Sequence, residues 1–362
     1  MNDLLDQIIS QYPHTDAALR AEMKKADICV AYDSSCFDTA MDIFDRLART
    51  MKNREICGEA WFKKALLLHL NGNDQACIDE LMRWRRCFQS SSIRLHAQAL
   101  LIETLPAVIN NLLSEGNDAD AVILAQQTRE LFENRWIDPS ILFNLASAFE
   151  RLGLYREAIE LLLFLRNEYN LNDQQEIYLS LTRLAHLRGN HDLVDDFSSQ
   201  YFYHFPGGLF HDDILYYRID STYASGRIDE AEALIPAPLP ERTDFKLLAA
   251  SILFHQDAYA KTAELLMSLN KGLFPDSYIF MLAESLYQLG RFDEAARSFT
   301  LLENSPDYRD IALYRTGQPQ PNGTVSPVDI YQLRKIAGSS ADSQWRRFAT
   351  QKLRYVKMVE ML

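Results

Sequence analysis

The chain has 362 residues, 48% hydrophobic and 24% charged, with 13 glycines and 12 prolines, which is enough apolar content for an extended core and excludes a disordered or collagenous polypeptide. Fifty acidic residues against 37 basic ones leave a net charge of −13. Averaged over the surface that charge repels a polyanion, so general nucleic-acid binding is disfavoured.

No apolar run approaches the roughly 18 residues that a bilayer-spanning helix needs. The opening MNDLLDQIISQYPHTD puts acids where a secretory signal needs a basic flank, so the expectation is a cytoplasmic chain without a membrane span. The cysteines, Cys29, Cys36, Cys57, Cys77 and Cys87, are odd in number and form no CxxC pair. That pattern predicts reduced thiols, most of them small core residues, and no zinc site.

Taken in chain order, residues 1–20 read as a helical lead-in. Residues 21–310 then fall into about eight helical hairpins, each turning at a hinge. The first hinge, at Ser35, lies in SSCFDTAMDIF and lacks a glycine. The second is Gly72. Beyond it RWRRCF (Arg83–Phe88) concentrates arginines beside a tryptophan, either as a solvated face or as a docking surface for an acidic partner.

The next interval, Gly72 to Gly116, is about ten residues too long. Its excess, RLHAQALLIETLPAVINNLL, is helical in pattern, with Pro106 able to open a helix behind Thr104. A lengthened or broken first helix is expected there. SILFNLASAFERLGLYREAIELLLFLRNEY (Ser140–Tyr169) shows the unit most clearly. Leu142, Leu145, Ala146 and Phe149 stand at i, i+3, i+4 and i+7 on one helical face, Gly153 supplies the turn, and Ala158, Ile159 and Leu162 resume the spacing.

At the Gly189 hinge, His186 and His191 are five residues apart and do not share a helical face. YFYHFP (Tyr201–Pro206) reads as a helix end packed on its neighbour, or as a rim of exposed rings. His204, His211, Asp212 and Asp213 around FPGG have no common metal spacing, and a loop with Asp212 as helix N-cap explains them better. After the Gly226 hinge, LIPAPLPER carries Pro236, Pro238 and Pro240, which should cut the second helix to about two turns.

The last two hinges lie in QDAYAKTAELL, at Asp257, and in SYIFMLAESLYQLGRFDEAARSFTLLENSP, at Gly290. Successive hinges are 37, 44, 37, 36, 37, 31 and 33 residues apart. Residues 311–327 follow as a Gly/Pro-rich loop and 328–362 as two capping helices. In the second of these, Trp345, Phe348, Ala349, Leu353, Val356 and Val359 make an apolar stripe, while Arg346, Arg347, Lys352 and Arg354 form a basic surface.

These units resemble the tetratricopeptide repeat, whose period is 34 residues with small residues and aromatics at fixed positions. The copy from Asp276 supplies Ala283, Leu286, Phe292, Ala295 and Phe299, and the copy from Gln175 ends on Pro206. The resemblance runs from about Ala21 to Pro306. It implies an all-α, right-handed superhelical solenoid of helical hairpins with a C-terminal helical cap.

In that family the first helix of each repeat lines a concave groove. Carried over copy by copy, the inward positions are Phe143, Glu150, Arg183, His186, Tyr216, Tyr217, Asp220, Tyr223, Phe254, Phe280, Glu284 and Tyr287. Tyr223, Phe254 and Tyr287 hold the same position in three consecutive copies, which predicts a ladder of rings, unless they tuck between helices as core. The family's clamp for acidic peptide tails is disfavoured: Asn144 matches one of its positions, but Phe143 stands beside it and no lysine follows in the next copy.

Function then reads as a non-enzymatic protein–protein interaction scaffold that binds a partner segment in the groove, without cofactor or metal. A peptide- or ligand-sensing regulatory domain is the alternative. No Gly-rich phosphate loop, GxSxG or HExxH motif points to catalysis.

Overall fold

The structure is a computed structural model that describes residues 2–32, 36–50, 53–84, 93–133, 136–138, 140–168, 174–269, 274–316, 327–338 and 344–359. All regular structure among them is helical. The chain divides into two compact units, Met1–Ile177 and Tyr178–Leu362.

In the first unit α1 (Asn2–Gln11) packs on α2 (Asp16–Tyr32), and α2 pairs with α3 (Phe37–Arg49). Next come α4 (Arg54–Leu70) with α5 (Asp74–Trp84), and α6 (Ile93–Ser114) with α7 (Asp118–Gln127) and the short α8 (Arg129–Glu133). The pair α9 (Ser140–Arg151) and α10 (Tyr155–Glu168) completes it.

α11 (Gln175–Leu187), of which all but the first turn lies in the second unit, meets α12 (His191–His204) through an edge-on contact of Tyr178 and Tyr201. The pairs α13 (His211–Ala224) with α14 (Ile228–Ala233), α15 (Thr243–His255) with α16 (Tyr259–Met267), and α17 (Asp276–Gln288) with α18 (Phe292–Thr300) follow. α19 (Arg309–Thr316), α20 (Pro327–Ala337) and α21 (Gln344–Val359) close the unit.

Small residues set the close approach of paired helices: Ala146 on α9 and Ala158 on α10 are buried, as are Ala283 on α17 and Ala295 on α18. At the hinge between α17 and α18, Gly290 takes φ +76°, and Arg291 N–H reaches back to Leu286 O at 2.9 Å. This is a left-handed helix stop that closes orphan carbonyls. Between α15 and α16 the same stop is made by Asp257 at φ 54°, with Ala258 N–H on Leu253 O at 2.9 Å.

The proline-bearing segment forms one continuous helix, the 22-residue α6, with Pro106 inside it and Thr104 Oγ1 donating to Leu100 O at 2.8 Å. Three prolines after α14 hold that helix to six residues.

The structure corrects three readings. Cys29 of α2 and Cys36, the residue before α3, form a disulfide with their Cα atoms 5.6 Å apart, within bonding range; Cys57 and Cys77 are free and buried. The proposed loop at 311–327 begins as helix, since Ala312 and Leu313 of α19 are fully buried, and 317–326 lies outside the described residues. Asp212 is not an N-cap: α13 opens at His211 behind Phe210, and no side chain caps it.

Candidate functional site

Of the groove candidates, Phe143 and Glu150 are half-buried on α9 in the first unit. The others lie in the second unit: Arg183 and His186 on α11, Tyr216, Tyr217, Asp220 and Tyr223 on α13, Phe254 on α15, and Phe280, Glu284 and Tyr287 on α17. All of these but Glu284 are half-buried.

Several of the rings meet one another directly. Tyr223 Oη lies 2.9 Å from Nδ1 of His255, and the two rings are edge-on. His255 is edge-on to Phe254, and Phe254 to Phe280 with 6.4 Å between centroids. Phe280 then stacks on Tyr308 at 5.0 Å and 22°. An aromatic line thus runs from α13 across α15 and α17 to the residue before α19.

Tyr287, packed on the same core as Phe280 and Tyr308, lies edge-on against Phe292 beneath the Arg315 guanidinium at 4.3 Å. Tyr216 packs edge-on against Phe245 of α15 and against Tyr217. Burial, with the acids Asp220 and Asp244 nearby, pushes the Tyr216 phenol up to about 12, and burial also raises that of Tyr223. Both stay neutral hydrogen-bonding groups at physiological pH.

The charged candidates are already engaged. Asp220 Oδ2 stands 2.7 Å from His186 Nε2, and the His186 ring packs on Tyr217 at 5.3 Å. Glu284 is buried where a groove position predicts an open side chain: only 8% exposed, it accepts Arg315 Nε at 3.0 Å and Nη2 at 2.5 Å, so it fastens α17 to α19. Arg242 reaches Asp213 at 2.8 Å and Asp244 at 2.7 Å while lying over the Tyr216 ring at 6.0 Å. Its guanidinium beside Asp244 holds that carboxyl below the usual range. Sequence reasoning missed His255, Tyr308, Arg242 and Arg315. His255 and Tyr308 fall off the inward repeat positions, and the two arginines lie outside the first helices.

His191 Nδ1 lies 2.7 Å from Ser221 Oγ, another contact between neighbouring helix pairs. In the run YFYHFP, Tyr201 is fully buried and its hydroxyl accepts Phe210 N–H at 2.9 Å, while Tyr203 is 82% exposed. His211 Nδ1 is 3.3 Å from Asp212, and among the described residues no three His, Cys, Asp or Glu side chains converge as metal ligands would. Asn144 Nδ2 contacts Asn110 Oδ1 at 3.4 Å. Of the first basic patch, Arg83 pairs with Glu80; the Trp84 side chain and residues 85–88 lie outside the described residues. In the second, Arg347 and Arg354 are exposed on α21, and Arg346 and Lys352 half-buried.

A cavity of about 200 Å³ in the first unit, lined in part by Phe132, Leu142, Phe149, Leu161 and Phe164, is largely apolar in its walls. Among the described residues no helix is long and apolar enough to cross a membrane.

Residues 280–317 match the family model described as a tetratricopeptide repeat, a span that takes in most of α17, all of α18 and α19. No curated protein matches the chain. Among solved structures it is similar to a tetratricopeptide repeat protein from Parabacteroides merdae ATCC 43184, with 14% identity, 72% of this chain and 97% of that one covered, and a TM-score of 0.37. It is similar also to Naa15/Naa10 bound to HypK-THB (15% identity, 91% and 54% covered, TM-score 0.49) and to the P58(IPK) TPR domain (12% identity, 99% and 93% covered, TM-score 0.35).

Proposed function

We propose that this divergent tetratricopeptide-repeat protein is a non-enzymatic scaffold that holds a segment of a partner protein against the first-helix face of its second unit. The repeat fold itself suggests protein–protein interaction. The observation that carries the finer reading is the aromatic line Tyr223, His255, Phe254, Phe280 and Tyr308. Tyr223, Phe254, Phe280 and Tyr308 are half-buried and His255 is exposed, so each ring leaves area open to a ligand. Rings have few rotors to freeze, which makes them efficient anchors.

Tyr216 and Tyr217 extend the same apolar surface along α13. Asp220 and His186, already tied to each other, set polar points beside it. With a net charge of −13, the chain favours a partner segment of basic or neutral character.

The test is affinity capture from the source cell's lysate with the native chain and with the Tyr223→Ala/Phe254→Ala variant, both checked by circular dichroism. A specific protein held by the native chain and lost by the folded variant is the expected result. Equal retention by both would move the working surface elsewhere.

A further inference from the structure

We propose that the outward face of α21 is a second docking surface, built to pair with an amphipathic helix whose flanks are acidic. One side of α21 is already used. Ala349 and Val356 are buried, and Trp345 and Leu353 pack against Leu313 of α19 and Leu333 and Ile336 of α20.

The opposite side is open and patterned. Tyr355 and Met358 are 58% and 57% exposed, Gln351 is exposed as well, and Phe348, 45% exposed, borders this side with its ring against Tyr314 of α19 and Trp345. Positions 348, 351, 355 and 358 advance by three, four and three residues, the a and d spacing of a helix–helix seam. Arg347 and Arg354 then fall at g, and Lys352 at e. α21 contains five basic residues and no acidic one, in a chain whose net charge is −13.

The charges choose the occupant. In a parallel pair the e and g positions of one helix face g and e of the other, and in an antiparallel pair like faces like. Two copies of α21 would set cation against cation in either orientation. A helix with glutamates at e and g would neutralise all three. Gln351, polar within the seam, restricts the register at which such a helix can lie. This surface is separate from the aromatic line on α13, α15 and α17, and the two stand or fall independently.

The test uses the full chain and two labelled synthetic peptides of three heptads, both with leucine at a and d, one with glutamate and the other with lysine at e and g. Fluorescence anisotropy should show the glutamate peptide bound about tenfold or more tighter than the lysine peptide, with the gap narrowing as salt rises. Arg347→Glu/Lys352→Glu/Arg354→Glu should invert that order. Phe348→Ala/Tyr355→Ala should lose the glutamate peptide, and Tyr223→Ala/Phe254→Ala should keep it.

Equal binding of the two peptides, or of neither, by the native chain overturns the proposal. So does binding that survives the charge reversal in a folded variant. Co-flotation with phosphatidylserine vesicles without peptide discrimination would instead assign the face to an anionic membrane. Self-association abolished by Phe348→Ala/Tyr355→Ala would assign it to a second copy. Should the reversed variant fail to fold, the native chain's choice between the two peptides decides alone.

Discussion

His186 Nε2 lies 2.7 Å from Asp220 Oδ2, and the two residues stand 34 positions apart in the chain, one repeat length. Equivalent levels of consecutive first helices are thus tied side chain to side chain. His186→Ala and Asp220→Ala are each expected to lower stability by about 1 kcal/mol, and the double variant to lose less than the sum, with a coupling of about 0.5–1 kcal/mol. Urea melts of the four proteins measure this; strict additivity would show that the contact carries no energy.

Arg315 and Glu284 form a stronger tie, since the carboxylate is almost wholly enclosed. Arg315→Ala leaves that charge unpaired and should cost about 2–4 kcal/mol. Replacing both partners, as in Glu284→Leu/Arg315→Met, should recover much of the loss because no buried charge remains. Thermal melting of the two variants discriminates: equal losses would contradict the assignment.

The helix stops make opposite predictions at two hinges. Gly290 sits at φ +76° with open space where a Cβ would be, so Gly290→Ala meets backbone strain alone and should cost about 1 kcal/mol. Asp257 already bears that strain at φ 54°, partly offset by its carboxylate accepting the Tyr259 hydroxyl. Asp257→Gly should therefore be neutral or slightly stabilising, which equilibrium denaturation will report.

Acid should weaken the first unit through Asp118. Hydrogen bonds from Arg151, at 2.7 and 2.6 Å, hold this carboxyl below its ordinary value. A carboxyl depressed on folding stabilises the protein above its unfolded pKa of about 3.9, and that contribution disappears as pH falls through the lower, folded value. Asp118→Asn should be less stable than the native chain at pH 7 by about 1 kcal/mol, and the difference should shrink below about pH 4. A gap independent of pH would exclude the ion pair as its cause.

The helix pairs were legible because each is encoded within some thirty residues: an apolar stripe, a hinge that most often carries a glycine, and small residues where backbones approach. The three prolines after Leu234 likewise announce a short helix by local sterics alone. What was not legible depends on neighbours elsewhere in the chain. Phe280 looks equivalent to other first-helix rings, yet its stacking partner Tyr308 stands outside the repeat pattern. Glu284 resembles a groove ligand until Arg315 arrives from 31 residues away. Cys29 and Cys36 have no signature spacing, and their meeting depends on how α2 packs on α3. α19 reads as the edge of a loop because only eight residues precede the Gly/Pro stretch, and its helicity rests on burying Ala312 and Leu313.

Three of the side-chain ties between neighbouring pairs span close to one period: Asp118 to Arg151 spans 33 residues, His186 to Asp220 spans 34, and Asp195 to Arg227 spans 32. A lineage can therefore edit this protein in whole strides. An in-frame loss or duplication of about one period joins a surface to a near-equivalent of the one it left, whereas a change of half a period sets a first helix where a second belongs. Variation in length among descendants of such a gene should come in steps of one helical hairpin.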